Sequence, residues 1–171
     1  TVICTDKTGT LTQNRMSVVE YLACDERHMT LFMEGMAVNS TAELSVDDDG
    51  KRVAVGNPTE GALLMWLKSR GMEYAEVRDS FTVISQEPFS TETKFMATNV
   101  RNNATGEHTR FIKGAPEIVL NMCQKMANDY SRADIEARLL DYQSHAMRTL
   151  GFAVQREDGE VVFLGIVGIA D

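Results

Sequence analysis

The sequence is poor in cysteine, and no part of it has the length of a membrane span. Its three cysteines, Cys4, Cys24 and Cys123, are odd in number and lie far apart. They therefore form neither a disulfide framework nor a metal-ligand pattern, and a reducing cytosol is favoured. No apolar run approaches the roughly 20 residues of a transmembrane helix, and a signal peptide is missing as well. We expect these residues, taken alone, to be soluble.

An excess of positive charge is also lacking. The chain has 17 Lys and Arg against 25 Asp and Glu, which gives a net charge of −8. Nucleic acid or an anionic membrane is therefore not expected as the main partner. A nucleotide is compatible with this charge, because a local cationic pocket is enough to bind it. The length of 171 residues allows one domain with a substantial core.

Apolar periodicity and turn residues predict an α+β fold, with helices packed around an antiparallel β-sheet. The predicted strands are 15–22, 81–87, 94–101, 107–113, 149–156 and 160–168, and the acidic turn 47–50 joins two further short strands. The predicted helices are 27–38, 57–71, 116–122 and 131–147. Turn residues at 102–106 and 158–159 predict two hairpins.

Capping residues mark the starts of two of these helices. Asn57 is a candidate N-cap, Pro58 suits the first helical position, and Glu60 is placed to close a capping box. Ser131 and Asp134 have the same spacing at the start of a later helix.

Residues 4–12, Cys-Thr-Asp-Lys-Thr-Gly-Thr-Leu-Thr, carry the strongest chemical signal. Asp6 follows a short apolar run, so its carboxylate is expected at the tip of a buried strand, where it can attack phosphorus. Lys7 adds a cation and Thr8 a hydroxyl, and Gly9 lets the backbone turn so that N–H groups face a phosphate. A plain polar turn is the alternative interpretation.

The pentapeptide that begins at Asp6 resembles the phosphorylation motif of P-type ATPases, ion pumps that form an aspartyl phosphate. The resemblance implies that Asp6, Lys7 and Thr8 are catalytic, and that Asp6 and Thr8 hold Mg²⁺ in the intact enzyme. Related phosphatases of the haloacid-dehalogenase class have a second Asp two residues after the nucleophile, as a general acid/base. Thr8 occupies that position here, which favours a pump over a phosphatase.

Four further segments match nucleotide-binding segments of this family in order and spacing. The resemblance implies that they bind ATP through Thr59, Glu60, Phe89, Lys94, Met96, Lys113, Gly114, Ala115, Arg148 and Leu150. It places Phe89 against the adenine ring. Many calcium pumps have an Arg two residues after this Phe that contacts phosphate, whereas the uncharged Thr91 occupies this position here.

Each segment also has a simpler interpretation. Lys113 can be a solvated residue in a strand-to-helix turn, and Phe89 can be a core aromatic with Lys94 as a surface charge. Glu60 can serve only the helix cap. Arg148 can simply be a cation near the C-terminus of a helix, which the helix dipole favours.

The resemblance extends over essentially the whole chain and implies a division into three parts. Residues 1–14 would begin a phosphorylation domain, 15–160 would form the nucleotide-binding domain, and 161–171 would return to the first domain. The strands at both ends are expected in a parallel sheet whose other strands are missing, as in a segment of a larger protein.

The parent protein would be an ATP- and Mg²⁺-dependent cation pump, with calcium favoured as the ion, and these residues would be a cytoplasmic domain of that integral membrane protein. Their partners would be nucleotide and the remaining phosphorylation, actuator and transmembrane domains. Taken alone, they are expected to bind nucleotide without catalysis. The alternatives are a phosphatase of the related class and an interaction domain that no longer binds nucleotide.

Overall fold

A computed structural model describes residues 15–22, 25–127 and 129–171. The strands are β1 Ser17–Leu22, β2 Glu43–Val46, β3 Arg52–Val55, β4 Phe81–Glu87, β5 Phe95–Asn102, β6 His108–Gly114, β7 Lys125–Met126, β8 Arg148–Gln155 and β9 Val161–Ala170. The helices are α1 Glu26–Val38, α2 Pro58–Ser69, α3 Tyr74–Asp79, α4 Pro116–Met122 and α5 Arg132–Ser144.

The main sheet has seven strands, and six of them run in the order β1-β9-β8-β6-β5-β4. Neighbours along this order are antiparallel, whereas the short β7 pairs with β9 in parallel. The pair β2 and β3 forms a separate two-stranded sheet. The predicted α+β class, with an antiparallel sheet and helices around it, is therefore confirmed.

The helices cover both faces of the main sheet. Phe111 on β6 and Phe152 on β8 face the helices α1 and α2, whereas the next residues, Ile112 and Ala153, face α4 and α5. This alternation follows from the two-residue period of a strand, and it requires apolar residues on both faces where the two strands cross the core. The methionine-rich stripe of α1 packs in the first core, as its spacing predicts.

Most element bounds agree with the sequence prediction within one or two residues. The helix α5 ends at Ser144 rather than Met147, because Ala146 has a positive φ of 61° that is incompatible with a continuing helix. The elements α3 and β7 were not predicted. They have six and two residues, too few for a hydrophobic period to show.

The strand at the C-terminal end corrects one expectation. Residues 161–171 were expected to carry a strand of a parallel sheet without its partners. Instead β9 lies between β1 and β8 and pairs antiparallel with both. The pairing was mispredicted because an apolar strand buried on both faces is typical of parallel sheets and also of the centre of an antiparallel one. The division of the chain at residues 14 and 160 stays a prediction.

Candidate functional site

A surface groove of about 480 Å³ lies where three connections of the main sheet meet. The segment between β4 and β5 supplies Phe89, Thr91 and Lys94, the junction of β6 and α4 supplies Ala115, and the start of β8 supplies Thr149 and Leu150. The antiparallel order of β5, β6 and β8 brings these distant segments together, because Phe95 pairs with Gly114 and Gly114 with Gly151.

The groove depends on a close backbone approach at Gly114. A Cβ atom at this position would lie 2.4 Å from the Lys94 carbonyl oxygen and 2.7 Å from the Phe95 Cα. Because real Cβ atoms do not approach other atoms so closely, only glycine fits here. The Ala115 N–H donates to the Lys94 carbonyl at 3.0 Å, and Lys94 itself has a φ of 61°. These contacts hold the Lys94 and Ala115 sides of the groove together.

The groove combines one aromatic ring, one cation and two hydroxyl groups. The Phe89 side chain is 56% exposed, which excludes its interpretation as a core aromatic. Leu150 and Ala115 add apolar surface, Lys94 adds a positive charge, and Thr91 and Thr149 add hydroxyls. Such a surface suits a flat, apolar ring that carries an anionic group.

Lys113, two residues before Ala115 of the groove, forms a buried ion pair with Glu60. The Lys113 Nζ lies 2.8 Å from Glu60 Oε2, and the two residues are 6% and 7% exposed. The same ammonium donates to the Asn39 carbonyl oxygen and contacts the Met96 Sδ at 3.3 Å. The interpretation of Lys113 as a solvated residue is therefore wrong, because its charge points into the protein and away from solvent.

The second carboxylate oxygen of Glu60 also accepts hydrogen bonds. Glu60 Oε1 accepts hydrogen bonds from the Thr41 N–H at 3.0 Å and from the Thr41 hydroxyl at 3.1 Å. Glu60 therefore does not close the predicted capping box. The helix is capped by Asn57 alone, whose Oδ1 accepts from the N–H groups of Thr59 and Glu60. The Ser131–Asp134 capping box is present as predicted.

Burial and the opposite charge of the partner shift the pKa of each residue of the pair in opposite directions. Burial opposes ionisation of Glu60, but the Lys113 charge and the hydrogen bonds from Lys113 and Thr41 outweigh it and hold the pKa of Glu60 below its usual value. Burial also lowers the pKa of Lys113, and the Glu60 carboxylate offsets part of this effect. Three acceptors around the Lys113 Nζ suit the charged ammonium.

The residues expected to bind nucleotide fall into three groups. Phe89, Lys94, Ala115 and Leu150 line the groove, while Glu60, Met96, Lys113 and Gly114 are buried and do not line it. Thr59 lies in the first turn of α2, and Arg148 is exposed at the start of β8; neither lines the groove. Asp6, Lys7 and Thr8 lie outside the described residues.

Sequence reasoning missed four polar residues around the site: Asn39, Thr41, Thr98 and Thr149. Short polar residues after a helix or within a strand give no local sign of what they contact. Thr98, for example, is fully buried, but it lies next to Asn99 in a strand of mixed polarity and does not stand out in the sequence.

Metal-ligating and reactive groups are scarce in the part of the chain that the structure describes. It contains no group of three or more His, Cys, Asp or Glu side chains placed to hold a metal. Burial raises the pKa of the Cys123 thiol to about 12, so this cysteine is not a nucleophile at neutral pH. None of the described helices has the length and apolarity to span a membrane.

A family model for the P-type ATPase cytoplasmic domain N matches residues 27–171. The chain belongs to this family. Its relatives include the calcium-transporting ATPase PAT1 of Dictyostelium discoideum, which is 35% identical and aligns with the whole chain, over 18% of its own length. The plasma membrane-type calcium-transporting ATPase 2 of Arabidopsis thaliana is 31% identical, also over the whole chain and 20% of its own length.

The relatives also include a bacterial protein. The calcium-transporting ATPase 1 of Lactococcus lactis is 26% identical over 99% of the chain and 22% of its own length. The chain thus spans about a fifth of the length of the calcium-transporting ATPases that it matches. The groove and the buried ion pair both lie within the part of this P-type ATPase domain that the family model covers.

Proposed function

We propose that this P-type ATPase domain binds ATP in the groove between Phe89, Lys94, Ala115 and Leu150. The observation that carries the proposal is the convergence of these residues, from three distant segments, on one surface with an exposed aromatic ring. The adenine ring stacks on Phe89 with Leu150 and Ala115 beside it, and Lys94 attracts the phosphates. The hydroxyls of Thr91 and Thr149 are available to polar edges of the nucleotide.

The buried residues have an indirect role in this proposal. Lys113 lies two residues before Ala115, and its ion pair with Glu60 fixes the end of β6 on which Ala115 depends. Met96 completes the contact from the neighbouring strand β5. Arg148 lies outside the groove lining, at the start of β8, and in this proposal it reaches the phosphates of the bound nucleotide. Thr59, in the first turn of α2, is a further proposed nucleotide contact.

In the whole protein, we propose that Asp6 accepts the γ-phosphoryl group of this ATP. A carboxylate oxygen of Asp6 attacks the γ-phosphorus, the bond to the β–γ bridging oxygen breaks, and ADP leaves. Lys7 and Thr8 orient the phosphate through their charge and hydroxyl. Asp6 and Thr8 supply oxygen ligands of the kind that Mg²⁺ takes, and the cation neutralises phosphate charge when bound.

The aspartyl phosphate would drive cation transport by the parent protein. Calcium is the proposed ion, because the relatives that match the chain are calcium-transporting ATPases. These relatives are about five times longer than the matched segment, so the proposal includes phosphorylation, actuator and transmembrane domains outside it. The 171 residues would then be a cytoplasmic nucleotide-binding module of a membrane protein.

ATP titration of the 171-residue chain, followed by NMR chemical shifts, tests the groove. Since loss of a stacking side chain costs about 1–3 kcal/mol, Phe89→Ala should weaken ATP binding at least about fivefold. Ile84→Ala is the matched control, because Ile84 is a similarly exposed apolar residue on the edge strand β4.

Three results would contradict parts of the proposal. Equal affinities of wild type and Phe89→Ala would show that the groove is not the site. No response of the wild type to ATP would favour an interaction domain instead. Hydrolysis of a simple phosphate ester by the chain would favour a phosphatase, which the missing acid two residues after Asp6 argues against.

A further inference from the structure

Asn39, the residue that follows α1, is connected to both strands that lead into the groove. It is 1% exposed. Its side-chain Nδ2 donates to the Met96 carbonyl oxygen at 3.1 Å, and its Oδ1 accepts from the Thr98 hydroxyl at 2.6 Å. Its own carbonyl oxygen accepts from the Lys113 ammonium. One residue therefore contacts β5 twice and β6 once.

Two of the residues that Asn39 contacts, Met96 and Lys113, lie close in sequence to residues of the groove. Met96 and Lys113 face each other in the pairing of β5 with β6. Met96 lies two residues after Lys94, and Lys113 lies two residues before Ala115, so each is one short step along its strand from a groove residue. A shift of Asn39 would be transmitted directly to the Lys94 and Ala115 sides of the groove.

The segment that carries Asn39 is itself held at both ends. The Arg78 guanidinium donates to the Ala37 carbonyl at 2.7 Å through Nε and to the Ala42 carbonyl at 2.8 Å through Nη2. Within this segment Thr41 binds the Glu60 carboxylate. The end of α1 and the segment up to Ala42 are thus held in place by Arg78, and this segment contributes hydrogen-bonding groups to both members of the Lys113–Glu60 pair.

We propose that Asn39 is a positioning residue of the nucleotide groove, which holds the Lys113 ammonium and the Met96 backbone so that the β5 and β6 ends keep the geometry that binds ATP. This inference rests on the proposed nucleotide binding. The hydrogen bonds of Asn39 to the two strands go to Met96, Thr98 and Lys113, so its effect on the groove passes through Met96 and Lys113.

A merely structural role is the alternative, because any buried, hydrogen-bonded amide contributes to stability. The two roles differ in what they do to Lys113. If Asn39 positions Lys113, loss of its side chain lets the residue 39 carbonyl move away from the ammonium, and Lys113 then becomes more reactive while the domain is still folded. If Asn39 only stabilises the fold, nucleotide affinity and Lys113 reactivity change only as far as global stability does.

The test compares Asn39→Ala with Leu139→Ala in the full 171-residue chain. Leu139 is buried under the opposite face of the sheet, so its truncation destabilises the domain without touching the Asn39 contacts. Both variants are measured equally far below their own Tm. One readout is the ATP dissociation constant, and the other is acetic anhydride labelling of Lys113, quantified by mass spectrometry against the exposed Lys68.

We expect Asn39→Ala to weaken ATP binding about 2- to 10-fold, the range for lost hydrogen bonds, and to raise Lys113 labelling, with neither change in Leu139→Ala. Equal values in the two variants would overturn the proposal. If Asn39→Ala does not fold, Thr98→Val removes the 2.6 Å bond to Asn39 together with the 3.0 Å bond from the Gln86 amide, and it must show the same changes at smaller size, whereas Gln86→Ala, which removes only the second bond, must not. A wild type that does not bind ATP refutes nucleotide binding; Lys113 labelling then decides separately whether Asn39 holds Lys113.

Discussion

Replacing Lys113 by methionine leaves the Glu60 carboxylate without its cation in the interior. The two charged groups are 2.8 Å apart, and both residues are less than a tenth exposed. Removal of one partner from such a pair costs about 3–5 kcal/mol, because the remaining charge stays desolvated. Thr41 still donates two hydrogen bonds to Glu60, so we expect a loss of about 3 kcal/mol. This is a large part of the 5–15 kcal/mol that typically stabilises a domain.

A double-mutant cycle isolates the interaction of the pair. Urea unfolding gives the free energy of unfolding for wild type, Lys113→Met, Glu60→Gln and the double variant. Because the double variant contains no unpaired charge, we expect it to be more stable than Lys113→Met. A loss below about 1 kcal/mol in Lys113→Met, or strictly additive losses, would refute a buried and coupled ion pair.

Acid should reduce the defect of Lys113→Met. In the wild type the pKa of Glu60 is lowered, so its contribution is present above the unfolded-state pKa and is lost as the pH falls through the folded-state pKa. Without Lys113, burial raises the pKa of Glu60 instead, and protonation then removes the unpaired charge. The stability difference between wild type and variant should therefore narrow between pH 7 and pH 4. A difference that widens would contradict this explanation.

Three smaller changes test local features. Gly61→Ala would place a Cβ atom 2.2 Å from the Ala54 Cβ and should lower the free energy of unfolding in urea by about 1–3 kcal/mol. Adding Ala54→Gly should restore part of this loss. An unchanged urea midpoint would contradict the close contact of α2 with β3. Ser131→Ala should cost about 1 kcal/mol through loss of the capping box, and Ser131→Asn should retain most of the stability. Cys123 is half-buried, and its pKa is raised to about 12. It should therefore react slowly with iodoacetamide at pH 8 until urea unfolds the chain, as measured by mass spectrometry; rapid alkylation of the native domain would contradict the raised pKa.

Features with a local cause could be predicted from the sequence. The hydrophobic period of α1, the N-cap at Asn57 and the turns at 102–106 and 158–159 depend on a few neighbouring residues, and the structure contains all of them. Four residues expected at the nucleotide site, Phe89, Lys94, Ala115 and Leu150, do line one groove. Their role in binding ATP stays a prediction that the titration tests.

Features that depend on distant partners could not be predicted in this way. Glu60 has good spacing for a capping box, yet its carboxylate binds Lys113, which is 53 residues away in the chain. The parallel pairing expected for the last strand was wrong, because an apolar pattern reports burial on two faces and not the direction of the neighbouring strands.

The sequence by itself determined the longer elements, the α+β class and the family, because helix and strand periods, caps and an ordered motif depend on residues that are close together in the chain. Only the tertiary structure decided that the Lys113 ammonium points inward, and that Asn39 and Glu60 surround it. The physical reason is the cost of burying a charge. A charged lysine can lie in the interior only where folding brings hydrogen-bond acceptors from several segments to it. The sequence around the lysine does not show which distant residues these are.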